Sequence, residues 1–299
     1  MLKKIISFNS LFSAFRILPW VIDYFRNRRK EWSLYDSGHI SPASEDSTSI
    51  TDVVEYTELC VLAVKENSVF DKFRSCKEYR EVLDHVSFKQ GHGYLKQIRV
   101  TGNSYSKFLD VAKNQIGSPF TYWYRGVGRI SPTNLRYAKV SQDLENLFGT
   151  LDYFSIKEIG VGFGGQCSQI LKLWKVEDYA IFDLDPVLEL TKKFLDRQSL
   201  LPKVTLGIFD KETQEYDLVI SNYAFSEIRR SVQEQYFTNV IAKAKRGYIT
   251  FNEITPPEWK SFTSLELSKM IPGAEILQEI PLTHPGNSIL VWGHQPLPR

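Results

Sequence analysis

The chain has 299 residues, 42% hydrophobic and 24% charged, values near the globular average that exclude wholesale disorder and leave room for a full core. Its 37 Lys and Arg nearly balance 35 Asp and Glu, for a net charge of +2, so the folded part lacks the basic surplus that tracks nucleic-acid phosphates, and no nucleic-acid partner is expected. Cys60, Cys76 and Cys167 are odd in number and widely spaced, which fits free thiols in a cytoplasmic setting, and the scattered histidines offer no metal-ligand spacing.

Residues 1–31 hold seven Lys/Arg against two acids, a net of +5 that leaves the remainder at −3. Phe8, Leu11, Phe12, Phe15, Leu18, Ile22 and Phe25 recur at three- and four-residue intervals, which predicts a basic amphipathic helix within residues 1–36. Its apolar stripe fits either peripheral contact with an anionic membrane or packing on this protein's own body or a second subunit, as in a homodimer. Asn9, Arg16, Pro19 and Asp23 interrupt it too often for a transmembrane span. Residues 37–50, rich in Ser with Gly, Pro and acids, read as a linker. Helical spacing then returns between residues 51 and 99, for example Phe73, Cys76, Leu83 and Val86, predicting a small helical cap. Residues 120–125 form a dense aromatic run ahead of the Gly126/Gly128 turn, and residues 51–137 together read as a cap and acceptor-side region.

The most informative stretch is Glu158-Ile-Gly-Val-Gly-Phe-Gly-Gly-Gln166. Residues 155–159 are predicted as a short strand and residues 168–174 resume helical spacing, so Gly160, Gly162 and Gly164 lie at a strand-to-helix turn. Without a Cβ, such residues let the main chain approach a ligand and aim helix-start N–H groups at it. The G-x-G-x-G spacing departs from the dinucleotide fingerprint, and the acid at Glu158 suits a cationic ligand such as S-adenosylmethionine rather than a pyrophosphate. A second apolar run ends in Asp183, about 20 residues on, where an acid bonds an adenosine ribose. Asp185, before Pro186, reads instead as a helix N-cap. A third run, residues 204–209, ends at Asp210, a candidate partner for the adenine amino group. Residues 216–221 and 247–251 are predicted strands running into the polar clusters 222–227 and 252–253, which should converge on one sheet edge. After a helical piece at residues 264–270, two last apolar runs, 274–280 and 288–292, flank a loop and predict a hairpin. The expected fold is α/β: a Rossmann-like, seven-stranded, mostly parallel sheet of the class I methyltransferase type over residues 138–299, with its last strand antiparallel and an N-terminal helical extension.

From about residue 116 onward the sequence resembles the sugar O-methyltransferase family of class I S-adenosylmethionine-dependent enzymes. The resemblance is carried by Gly126-Val-Gly-Arg-Ile-Ser-Pro-Thr-Asn-Leu-Arg-Tyr137, the Glu158 to Cys167 turn, Asp183-Leu-Asp-Pro-Val, Ser221-Asn-Tyr-Ala-Phe-Ser-Glu227 and Thr283-His-Pro-Gly-Asn287. Phe163 departs from it, standing where similar sequences often carry tyrosine. The resemblance implies a donor site made by Glu158, Gly160, Gly162, Gly164, Gln166, Asp183, Asp210 and Asn222, with Arg136 placed either to reach the donor's carboxylate or as a plain surface arginine. It implies a sugar or glycan acceptor, held by Tyr122, Tyr124, Arg125 and Tyr223, although adjacent aromatics on a strand face opposite ways and at least one of Tyr122, Trp123 and Tyr124 simply packs.

Methyl transfer to a hydroxyl is an in-line displacement that depends on alignment and is helped by a base near the oxygen. His284, in the Pro/Gly loop, is the first candidate, with the carboxylates of Glu227 and Glu253 as rivals. No metal is indicated. Besides a sugar methyltransferase, two readings stay open: a methyltransferase for another small molecule, and a binding or scaffold protein with a degenerate donor site. A nicotinamide dehydrogenase would prefer G-x-G-x-x-G without Glu158.

Overall fold

The structure, a computed structural model, describes residues 19–35, 44, 46–100, 105–207 and 215–294. Asp210, residues 1–18 of the amphipathic stripe and most of the 37–45 stretch lie outside the described residues. In chain order, residues 19–28 are helical, followed by α1 (Val54–Lys65), α2 (Lys77–Val82), α3 (Phe88–Val100), α4 (Ser106–Val111) and a small antiparallel pair, β1 (Tyr122–Tyr124) and β2 (Gly128–Ile130). The long α5 (Pro132–Phe148) starts with proline at its first position, where a missing N–H costs nothing, and stops at Gly149, whose φ of 78° continues no helix.

The main sheet follows: β3 (Ser155–Ile159), α6 (Gly165–Leu173), β4 (Asp178–Phe182), α7 (Asp185–Asp196), β5 (Thr205–Leu206), β6 (Tyr216–Asn222), α8 (Arg230–Asn239), β7 (Ala244–Phe251), α9 (Ser264–Met270), β8 (Glu275–Gln278) and β9 (Ser288–Trp292). Its strand order is β5-β4-β3-β6-β7-β9-β8. The pairs among β3 to β7 are parallel, and β9 runs antiparallel to both neighbours, β7 and β8. This is the seven-stranded plan expected from the apolar runs, with the final hairpin placing the last strand inside the sheet. Where β9 crosses β7, Gly247 faces the Trp292 ring so closely that a Cβ would stand 2.0 Å from it, so the close pairing there requires glycine.

Strand periodicity divides the core. Ile156, Leu218, Ile220, Tyr248 and Val291 join one apolar cluster that continues through α5 and Phe163 to Tyr94 and Ile98 of α3 and Tyr56 and Leu59 of α1. Val219, Ile249 and Leu290 join a second cluster on the other face with Phe225, Phe262 and Leu267. The helices before α5 therefore cover one face of the sheet, and α5, which contains the 137/138 division read from the sequence, runs unbroken between the two parts.

Several boundaries differ from the sequence reading: β7 starts three residues before 247, and β5 and β8 are shorter than the runs 204–209 and 274–280. α6 begins at Gly165, three residues earlier than apolar spacing alone indicated, because the turn glycines lead straight into it. The N-cap of α7 is Leu184, and Asp185 is already helical, so Asp185 is not the cap; its carboxylate lies in the first turn, where the helix dipole favours it. Among the described residues no helix is long and apolar enough to cross a membrane.

Candidate functional site

Strand order reverses between β4 and β6 on either side of β3, and the crevice at the carboxyl ends of such strands is where open α/β sheets bind ligands. A cavity of about 410 Å³ lies there, with Gly160, Gly162, Asp183, Asn222, Tyr223 and Glu227 in its wall. The glycine turn behaves as its sequence demands: Gly160, Gly162 and Gly164 have φ of 75°, 55° and 88°, in the left-handed region that residues with a Cβ avoid. A Cβ on Gly160 would meet that of Ala224 at 1.9 Å, so the turn after β3 and the turn after β6 pack without room for a side chain. Asp183, at the end of β4, closes the turn, its two carboxylate oxygens accepting the amides of Gly162 and Leu184 at 2.8 Å each. Burial pushes its carboxyl up to about 6, against the pull of those two amides. Each oxygen keeps a lone pair for a further donor.

The polar clusters after β6 and β7 do converge. Asn252 donates to Glu227 and accepts from the Ser226 hydroxyl at 2.7 Å, holding the Glu227 carboxylate against the cavity. Burial pushes the Glu227 carboxyl up, opposed by Asn252 and the charge of Arg136. Glu253 does not join them: its carboxylate accepts the amide and hydroxyl of Ser264, both at 2.9 Å, and so holds the start of α9 away from the cavity wall. Asn222 is the unfinished group, with both side-chain amide atoms buried and unpartnered in the wall. Next to it Tyr223 adopts φ 70°, strained for a residue with a Cβ, and donates its hydroxyl to Glu279. Glu279 also accepts from the Thr283 amide (2.8 Å) and hydroxyl (2.7 Å) and from Asn287 (3.0 Å), so one buried carboxylate anchors the loop that brings exposed His284 to the cavity rim.

The helices before the sheet supply the third wall. Arg136, in the first turns of α5, is 8% exposed and makes no salt bridge with a described residue; its Nε is unpartnered, and its guanidinium lies 5.4 Å from the Tyr223 ring centre. A buried cation that no described carboxylate pairs with directly is costly, so this wall suits an anionic group on a ligand. His85, Tyr94 and Gln90 line the same side, groups that sequence spacing gave no reason to single out. The His85 ring is open to the cavity yet crowded by protein on most sides; desolvation and then Arg136 push its imidazole down, toward the neutral form. The end of the stretch read as a linker also reaches the site: Thr48 and Ser49 line the cavity, the Ile50 amide donates to the Glu227 carbonyl (3.1 Å), and the Arg229 amide to that of Thr48 (3.0 Å).

Several residues read as ligand contacts stand behind the wall rather than in it. Glu158 is 1% exposed and accepts the Tyr179 hydroxyl at 2.6 Å; burial pushes its carboxyl up to about 8. Gly164 is the N-cap of α6. Gln166 is buried and donates to Ser141 at 2.8 Å. Tyr124 is buried and stacked on Phe88 with centroids 5.2 Å apart, an anchoring role, while Tyr122 lines a separate groove with Trp20, Tyr24 and Phe88, and Arg125 lines neither space. Phe163, where the resemblance leads one to expect tyrosine, is enclosed by Phe73, Tyr137 and Phe194 with the Arg74 guanidinium 4.3 Å over its face, a place where a hydroxyl has no ligand to reach.

Strand order and the place of the cavity define the class: a Rossmann-like fold of the class I methyltransferase type. No protein-family model matches the sequence, and no curated protein does. Among solved structures the chain is similar to an S-adenosylmethionine-dependent methyltransferase from Aquifex aeolicus at 15% identity over 53% of this chain and 96% of that one, TM-score 0.36. It is also similar to an rRNA methylase from Streptococcus thermophilus at 14% identity over 53% and 96%, TM-score 0.39. A third likeness, to a proposed methyltransferase of Streptococcus mutans in complex with SAH, has 15% identity over 52% and 97%, TM-score 0.39. Likenesses this distant carry no argument about substrate.

Proposed function

We propose that the chain is an S-adenosylmethionine-dependent O-methyltransferase whose acceptor is a sugar hydroxyl. The observation that carries the donor half is the meeting, in one cavity, of the Gly160/Gly162 turn, the half-open Asp183 carboxylate, the unpartnered Asn222 amide and the unpaired Arg136 cation. These fit the donor's parts in kind: backbone without side chains for the adenosine, a carboxylate for two ribose hydroxyls, an amide and a guanidinium for the methionine end. When bound, the donor supplies an electrophilic methyl group. The protein's part is to hold the acceptor oxygen in line with it, exclude water and receive the proton. His284, Glu227 and His85 all face the cavity, and we favour His85 as the base because its ring lies in the wall that also carries Arg136, where desolvation and then the Arg136 charge push its imidazole down. Glu253, tied to Ser264, is withdrawn from that role. The sugar half is supported by the family resemblance of the 126–137, 221–227 and 283–287 runs. A small apolar acceptor is the second reading, favoured by Val86, Ile228 and Ile254 in the wall.

Calorimetric titration with S-adenosylmethionine, its demethylated product and NAD tests the donor half. Micromolar binding of the sulfur ligands and none of NAD is the expected result, and the reverse removes the assignment. Transfer of labelled methyl to sugar nucleotides or glycans, rather than to apolar phenols, then decides between the acceptors.

A further inference from the structure

The helix over residues 19–28 sits on the protein the wrong way round for a soluble amphipathic helix. Its two fully buried side chains are polar: Asp23 is 0% and Asn27 1% exposed. Asp23 accepts the Trp123 amide at 2.7 Å and pairs with Arg129, while Asn27 donates to the Thr121 carbonyl at 3.0 Å and accepts the Thr121 amide at 3.2 Å. Polar bonds to β1 and its approach therefore help fix the helix, and Ile22 and Phe25 point away from the protein. Ile22 is 50% and Phe25 60% exposed, whereas Trp20, 6.5 Å from the Phe88 ring, and Tyr24 line the groove shared with Tyr122. Arg26, Arg28 and Arg29 are exposed on the same short segment, with Lys30 next in sequence; Arg28 also pairs with Glu31, and Arg26 stands 3.9 Å from Asp23.

We infer that this outward face docks on an anionic lipid surface, with Ile22 and Phe25 entering the acyl boundary and the arginines meeting headgroup phosphates. Leaving large apolar groups in water while burying a carboxylate makes sense where the outer side has its own apolar partner. The charge selects the partner: a second copy packed through this same face brings Arg26, Arg28 and Arg29 against their own counterparts, whereas an anionic membrane complements them. The preceding 18 residues, which lie outside the described residues, add Lys3, Lys4 and Arg16 and more apolar positions at helical spacing in the sequence. The inference is independent of the methyl-donor reading.

The test is cosedimentation of the full chain with vesicles of phosphatidylglycerol and phosphatidylethanolamine, and with vesicles of phosphatidylcholine, alongside light scattering for mass. Expected are binding to the anionic vesicles only, at least a tenfold loss in the Ile22→Glu/Phe25→Glu variant with an unchanged thermal melt, and about a fivefold loss for each of Arg26→Gln and Arg29→Gln. Three results overturn it: no binding to anionic vesicles, equal binding to both kinds or to wild type and the double variant, or a dimer that the double variant turns into monomer while vesicle binding stays absent.

Discussion

Glu158 and Asp183 are carboxylates only a strand apart, and their surroundings give them different work. Glu158 is sealed beneath the glycine turn, where it accepts the Tyr179 hydroxyl, and burial pushes its carboxyl up to about 8. A folded state that holds a proton the unfolded chain releases near the ordinary value of 4.5 loses stability as pH rises between those values. Thermal melts of the wild type should therefore fall from about pH 4.5 to pH 8, and Glu158→Gln, which can still accept from Tyr179, should flatten that slope; an unchanged slope would place the titrating group elsewhere. Asp183 is open to the cavity instead. Asp183→Ala should weaken the methyl donor by about 1–3 kcal/mol through lost hydrogen bonds, and Gly162→Val should abolish binding by strain at φ 55° and by filling the cavity wall. Calorimetry on both variants checks this, and wild-type affinity in either would contradict the site.

At the level of elements, two connections position the site without being part of it. The Glu279 carboxylate gathers Tyr223, Thr283 and Asn287, so the loop bearing His284 and the strained turn bearing Asn222 are tied at a single point. Glu279→Ala leaves buried donors unmatched and should destabilise the protein by about 2–4 kcal/mol, read as a lowered denaturant midpoint. On the other wall, Arg74 pairs with Asp84 at 2.6 Å, bonds Asn134 at 3.1 Å and lies over Phe163, linking the segment that carries His85 to both α5 and the glycine turn. Arg74→Ala strands a buried carboxylate and should cost about 3–5 kcal/mol, whereas the surface pair Lys113–Asp110 should be close to neutral when broken.

For the molecule as a whole, the decisive feature is that one apolar cluster runs from Val53 in front of α1 to Val291 in β9. Helices expected to form a separate cap are the covering layer of the sheet, so they and the sheet should unfold together. Circular dichroism and tryptophan fluorescence should report coincident transitions, and a chain cut to residues 138–299, which breaks α5 and bares Ile156, Leu218 and Tyr248, should not fold; two separated transitions would mean the layer is an independent domain.

The sequence by itself determined the sheet. Runs such as 216–221 and 288–292 read as strands because their apolar residues are continuous enough to be buried on both faces, and the 264–270 helix was legible to its ends. It also placed Gly160, Gly162 and Asp183 at the crevice, since glycines after a strand and an acid ending the next have few other uses there. Tertiary structure decided which polar side chains face the cavity. Glu158, Gln166 and Glu253 carry the same chemistry in sequence as residues that reach the cavity, but strand parity and nearby partners turn them to Tyr179, Ser141 and Ser264. His85 and the Thr48–Ser49 strand of backbone reach the wall from segments more than 70 residues before the glycine turn, through contacts that no local spacing encodes. The outward face of residues 19–28 is the same case: the period of an amphipathic helix says that two sides differ, and only the bonds of Asp23 and Asn27 say which side is in.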